Sequence, residues 1–167
     1  MPNWCEGTVK VRGKLENVKR FLLEGLNHYS YRDFDNPVPK EDWMVIKDNK
    51  EYGYYEIDFD VEAYVEGTRR AFVSSENACH VFYWEDNSNE TPIAVMHVRQ
   101  AWGFREEEWC EISKKYDVDI RLYGVEKGMM FTEDIEIIKG KITKNESHMY
   151  ETYEQWVWNC PFPNYGG

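Results

Sequence analysis

The four cysteines, Cys5, Cys79, Cys110 and Cys160, form no C-x-x-C pair, and no Cys/His cluster has zinc-finger spacing. This argues against a disulfide-stapled scaffold and against a structural zinc site. No apolar run approaches the roughly 20 residues that a membrane-spanning helix needs. The opening residues Met1-Pro2-Asn3-Trp4-Cys5-Glu6 contain no basic region followed by an apolar stretch, so no secretory signal is read there. These absences predict a reduced, cytoplasmic protein. Positive charge is also scarce, with 20 Lys/Arg against 31 Asp/Glu. Residues 1–50 carry nine basic and eight acidic side chains, residues 51–167 eleven and twenty-three, so nearly all the negative excess follows residue 50. Phosphate backbones are bound through Lys/Arg that release counterions. A body this acidic excludes a general binder of duplex DNA or anionic membranes. It suits a basic protein partner, a cation, or solubility alone.

Aromatic residues, in contrast, are abundant. They make up 16% of the 167 residues, with 7 Trp and 12 Tyr, and the hydrophobic fraction of 42% is ample for one folded domain. The clearest pattern runs from Tyr55 to Glu66. Tyr55, Ile57, Phe59, Val61, Ala63 and Val65 alternate with Glu56, Asp58, Asp60, Glu62, Tyr64 and Glu66. A β-strand sends alternate side chains to opposite faces. One strand with an apolar face and five carboxylates on the other is therefore expected.

Around it, the periodicities predict a strand over Thr8–Arg12 and a helix over Leu15–Leu26, where Val18, Phe21, Leu22, Gly25 and Leu26 share one face. Residues 27–52, with Asn36-Pro37-Val38-Pro39, read as an irregular insert. Glu66-Gly67 reads as a hairpin turn returning through Thr68–Val73, which would place Arg69 and Arg70 across from the carboxylates. Further strands are predicted over Ile93–Gln100, Val118–Val125 and Met129–Lys139, the last with a possible extension to Lys144. A second helix spans Arg105–Tyr116. Glu106, Glu107 and Glu108 in its first turn and Lys114 and Lys115 in its last match the helix dipole, and Trp109, Ile112 and Tyr116 form its apolar stripe. Residues 145–167, with Tyr150, Tyr153, Trp156, Trp158, Phe162 and Tyr165, are expected to dock as an aromatic tail on a 1–144 core, the whole chain 1–167 forming a single domain. The resulting order gives an α+β fold: a ferredoxin-like antiparallel sheet with two helices on one face.

Met1-Pro2-Asn3-Trp4-Cys5, a short strand closing on Gly13 and a following helix resemble the start of the YubB ferredoxin-like domain family. Ala101-Trp102, Trp109, Ile120-Arg121-Leu122-Tyr123, Glu126, Gly128 and Phe131 resemble its later motifs. The resemblance covers about residues 1–26 and 93–140; the middle, with no Trp-rich central motif, departs from it. It implies a ferredoxin-like fold and a plasmid or phage setting, hence the cytoplasm of a host cell. It implies no established reaction and supplies no catalytic residues.

Three readings of the carboxylate row stay open: a solvated outer face, a partner-binding or phosphate-mimicking surface, and a metal site. Same-face neighbours on a strand stand about 6.6–7 Å apart, too far for one ion to be held by consecutive rungs alone. The histidines, His28, His80, His97 and His148, lack the H-x-T or H-x-S context of phosphodiester chemistry, and adjacent Cys79 and His80 would point to opposite faces of a strand. No RNA-reading aromatic pattern is present. Arg99, Arg121 and Tyr123 are candidates for a small anionic-ligand patch.

The leading expectation is a non-enzymatic acidic binding protein of a phage or other mobile element. It would engage a host protein with a basic surface, such as a defence or nucleic-acid-binding protein, through Glu56, Asp58, Asp60, Glu62 and Glu66. No catalytic residue, metal or cofactor is assigned. The alternatives are a nucleotide or small-ligand binder walled by the insert and the aromatic tail, and a metal-dependent or phosphoesterase-type enzyme.

Overall fold

The computed structural model describes residues 2–28, 38–59, 62–75, 79–82 and 91–167. The chain is a mixed α+β protein built on a large antiparallel sheet. Its elements are β1 (Trp4–Arg12), α1 (Leu15–Glu24), β2 (Leu26–His28), a 3₁₀ turn (Lys40–Asp42), β3 (Met44–Asn49), β4 (Tyr54–Phe59), β5 (Ala63–Val65), β6 (Ala71–Ser74), β7 (Cys79–Phe82), β8 (Ile93–Ala101), α2 (Glu106–Tyr116), β9 (Asp119–Glu126), β10 (Phe131–Ile138), β11 (Lys141–Met149) and α3 (Tyr153–Asn159). Eight strands join in the order β11-β10-β9-β1-β8-β6-β5-β2, and β3-β4-β7 form a smaller sheet.

β1 is the axis of the large sheet. All nine of its residues pair with β8, from Trp4 opposite Ala101 to Arg12 opposite Ile93. Glu6 to Arg12 also pair with Val125 to Asp119 of β9. Its alternate residues Cys5, Val9 and Val11 are fully buried and join Met96, Val98, Ile120 and Leu122 in the main core. The apolar stripes of the first two helices close that core, α1 through Val18, Phe21 and Leu22 and α2 through Trp109, Ile112 and Tyr116. Phe21 and Tyr116 meet edge to face at 5.6 Å between ring centroids. Gly7 is obligatory where β1 meets β9: a Cβ there would lie 1.9 Å from the Tyr123 carbonyl oxygen.

Two helices were expected and three are present among the described residues. The third, α3, lies in the tail, on the opposite face of the sheet from α1 and α2. Its Trp156 packs with Val125, Tyr150 and Cys160, and Tyr123 borders the cluster. The strand expected over 129–139 is β10, and its extension to Lys144 is corrected. Lys139 (φ 49°) and Gly140 (φ 70°) form a two-residue turn between the paired residues Ile138 and Lys141, so residues 131–149 make a hairpin. Positive φ at both turn positions matches the strand twist. Strands β2 and β3 occupy part of the stretch 27–52 that reads as irregular, and residues 145–149 belong to β11 rather than to the tail. Residues 29–37 of that insert lie outside the described residues.

The expected strand over 55–66 is likewise corrected. β4 pairs with β3 and β7 in the small sheet, whereas β5 pairs with β2 and β6 in the large one. Period-2 alternation is the same in either sheet, so it carries no mark of the change. Arg69 and Arg70 lie in the loop between β5 and β6, not on a return strand.

Gln100, fully buried on β8, fastens α2 to the sheet. Its Oε1 accepts hydrogen bonds from Trp109 Nε1 (2.9 Å) and the Arg105 amide (3.2 Å), while its Nε2 donates to Glu108 Oε2 (2.9 Å). Gln100→Leu would leave the buried Trp109 Nε1 unpaired and withdraw one donor from Glu108, which keeps the Arg69 amide. A stability loss of about 2–4 kcal/mol is expected, read as a lower midpoint of urea unfolding.

Candidate functional site

The carboxylates singled out in the sequence do not form one row. Glu56 and Asp58 stand on the small sheet. Glu56 pairs with Lys47 of the adjacent strand at 2.9 Å, and Asp58 accepts from Ser75 Oγ at 3.0 Å. Glu62 pairs with Arg99 of the large sheet. Glu66, beyond the end of β5, accepts from Asn27 Nδ2 at 3.3 Å and lies 3.9 Å from Lys115 Nζ. Three of these four carboxylates thus have a cationic partner. Asp60 and the side chains of Cys79 and His80 lie outside the described residues. The guanidinium groups of Arg69 and Arg70 form no ion pair with a described residue, although the Arg69 amide donates to Glu108 Oε2 at 2.8 Å. Among the described residues, no group of three His, Cys, Asp or Glu side chains could hold a metal ion.

The face of the large sheet turned away from α1 and α2 carries the other candidate residues. Register places Glu6, Thr8, Lys10 and Arg12 of β1 on it, with Arg99, His97, Val95 and Ile93 of β8 on one side and Val125, Tyr123, Arg121 and Asp119 of β9 on the other. Arg99, Arg121 and Tyr123 share this face but are not convergent. Arg99 stacks on Trp4, 4.6 Å from the ring centroid, in addition to its pair with Glu62. Arg121 is held by Asp134 (2.5 Å) and Glu136 (3.3 Å) of β10. Tyr123 packs beneath the tail, where burial raises its pKa.

The tail crosses one end of this face. From Tyr150 at the β11 edge, the chain passes Trp156 over Val125. It then brings Tyr165 edge-on to His97 (6.5 Å between centroids), and the Gly166 amide donates to Glu6 Oε2 (3.1 Å). Trp156 Nε1 donates to the Pro163 carbonyl at 3.0 Å, which folds the last residues back on α3. Thr152 caps α3 by accepting from the Gln155 amide at 3.2 Å. With Trp156 facing inward, the outer side of α3 presents Tyr153 (66% exposed), Val157 and Trp158 (87% exposed), followed by Phe162. Residues 145–167 contain no Lys or Arg, but do contain Glu146, Glu151 and Glu154.

The same end of the sheet carries a strained loop. Trp102 (φ 71°) and Gly103 (φ 115°) are both left-handed, and the Trp102 ring is exposed. Glu133, reaching from β10, holds the loop: its Oε2 accepts from the Phe104 amide at 2.8 Å, and Cys5 Sγ donates to the same oxygen at 3.7 Å. Burial raises the Glu133 pKa above the ordinary value of 4.5, against the lowering effect of the Phe104 amide. Burial, and then the neighbouring Glu133, push the Cys5 thiol well up.

The raised Glu133 pKa has a defined sign for stability. From about pH 4.5 upward the unfolded chain gives up this proton before the folded one does, so folding binds a proton there. The stabilisation from this group is present at low pH and is lost as pH rises through the folded-state pKa. Glu133→Gln keeps an acceptor for Phe104 and removes the titration. Melting temperatures of the variant are expected to match the parent near pH 4 and to fall less steeply as pH rises from there.

Compared with known proteins, the chain matches no family model, no curated protein and no solved structure.

Proposed function

We propose that this protein is a non-enzymatic binding protein with a ferredoxin-like core, encoded by a phage or other mobile element, that engages a host protein with a basic surface. Inhibition of a host defence protein is the sharpest form of this reading. The core assignment is supported by the strand order β9-β1-β8-β6. In it α1 follows β1, α2 joins β8 to β9, and neighbouring strands run antiparallel. The mobile-element setting rests on the resemblance of Met1–Cys5 and of the later motifs to the YubB family.

One observation carries the binding reading: the outer surface of the tail is aromatic and has no positive charge. Trp and Tyr are the residues that most often dominate protein interfaces. Buried Trp156 makes the tail a rigid platform, so exposing Tyr153 and Trp158 costs little ordering on binding. Arg or Lys side chains of a partner can stack on these rings and reach Glu151 and Glu154. The separated carboxylates Glu56, Asp58, Glu62 and Glu66 already have partners within the fold, so their contribution is to the general negative field rather than to a single contact row.

Capture experiments with the purified protein in host extract would test this. Wild-type protein is expected to retain a basic host protein. Tyr153→Ala with Trp158→Ala is expected to weaken that interaction by about 2 kcal/mol or more, roughly 30-fold. The exposed side chains should leave the melting temperature unchanged. Equal retention by this variant, with loss on charge reversal at Glu56 and Asp58, would move the interface to the small sheet.

A further inference from the structure

We propose that the end of the large sheet's outer face left open by the tail binds a small organic phosphate, a phosphate monoester on an apolar or aromatic body. A cavity of about 310 Å³ lies there, bordered by Lys10, Arg12, Arg121, Ile93, Asp119 and Glu136. The site uses the end of the face opposite the tail and stands independently of the partner reading.

Its geometry follows from register. Lys10 sits opposite Arg121, and Arg12 opposite Asp119 on β9 and Ile93 on β8. Strands lie about 4.8 Å apart and same-face rungs about 6.6–7 Å, so the three cationic residues stand within about 8 Å of one another at the backbone. This crowding occurs in a chain whose acids outnumber its bases 31 to 20.

The carboxylates nearby do not use up the donors. Asp119 takes Arg12 through Nε alone, at 3.1 Å, and its other oxygen accepts from the Lys139 amide at 3.1 Å. The two terminal nitrogens of Arg12 make no hydrogen bond to a described residue. Lys10 forms no ion pair with a described residue. Arg121 is clamped between Asp134 and Glu136, which cancel its charge, so it borders the cavity as a fixed wall while Lys10 and Arg12 supply the donors. An arginine whose Nε is anchored by a carboxylate offers its remaining nitrogens in a fixed orientation, the geometry that suits a phosphate oxygen pair. The Lys10 ammonium, one rung away, can reach a third oxygen. A planar carboxylate would satisfy the Arg12 fork and leave Lys10 unused.

Beside these donors, Ile93 and Val95 of β8 are 42% and 50% exposed. They give an apolar body a surface to rest on. The volume lies at the lower end of small-molecule sites, which fits one small ligand. Charge sets the same limit. A nucleic acid would bring many phosphates against a body of net charge -11, whereas a single phosphate feels mainly the charges within about 8–10 Å.

Backbone amide NMR titration at low ionic strength, with phenyl phosphate as the probe, tests the site. Saturable shifts are expected at Lys10, Arg12, Ile93 and Arg121. Inorganic phosphate, lacking the apolar body, and benzoate, lacking the tetrahedral dianion, should each bind at least about tenfold more weakly. Lys10→Gln removes an exposed side chain that pairs with no described residue, and it should preserve the fold while weakening phenyl phosphate about tenfold. No saturable shift, or shifts unchanged by Lys10→Gln, would overturn the site. Benzoate binding as tightly would overturn the phosphate class, and equally tight inorganic phosphate would overturn the apolar component.

Discussion

Most of this structure depends on β1 being hydrogen-bonded on both edges. Its pairing with β8 and β9 fixes the centre of an eight-stranded sheet. Because side chains alternate, the same nine residues serve two purposes. Cys5, Val9 and Val11 anchor the core beneath α1 and α2, while Glu6, Lys10 and Arg12 occupy the other face. A slip of one residue would exchange these sets, putting two cations into the core and two valines into water. Gly7 adds a steric constraint, since only a residue without a Cβ fits against the Tyr123 carbonyl.

Electrostatics then sorts the surface. Where acids and bases meet across strands they pair locally: Glu56 with Lys47, Arg121 with Asp134 and Glu136, Lys144 with Asp134 at 2.7 Å. Exposed pairs of this kind contribute little stability individually. Their effect is to cancel charge where it stands, so the net excess of acid is felt where cations are missing, above all in residues 145–167.

What was legible in the sequence was what local periodicity and local charge can specify. α2 was readable because Glu106–Glu108, Lys114–Lys115 and the Trp109, Ile112, Tyr116 stripe are all set within eleven residues. The hairpin of β10 and β11 was missed because Lys is unusual at the first position of its turn, although Gly140 was a visible signal. α3 also had a sequence mark, Thr152-Tyr153-Glu154-Gln155, a Thr cap followed three residues later by Gln. The break between β4 and β5 had none, since both strands keep the same alternation. The candidate cavity was out of reach for another reason. Lys10 and Arg121 are 111 positions apart, and only strand register makes them neighbours. Arg99, Arg121 and Tyr123, expected to share a patch, lie on one face of the sheet, and each of the three is occupied by its own neighbours.

The tail gives that face its two ends. By lying over Val125, Glu6 and His97 it removes apolar and acidic groups from the surface at one end, and replaces them with Tyr153, Trp158 and Phe162. At the other end Lys10 and Arg12 stay uncovered. Gly167 donates to the Trp4 carbonyl at 3.1 Å, at the start of β1. One sheet face thus carries two surfaces of opposite character. A basic macromolecule suits the aromatic tail, whose residues 145–167 supply no Lys or Arg, and a small anion suits the other end. A single polyanion fits neither, because the groups that would attract it are few and the rest of the chain repels it.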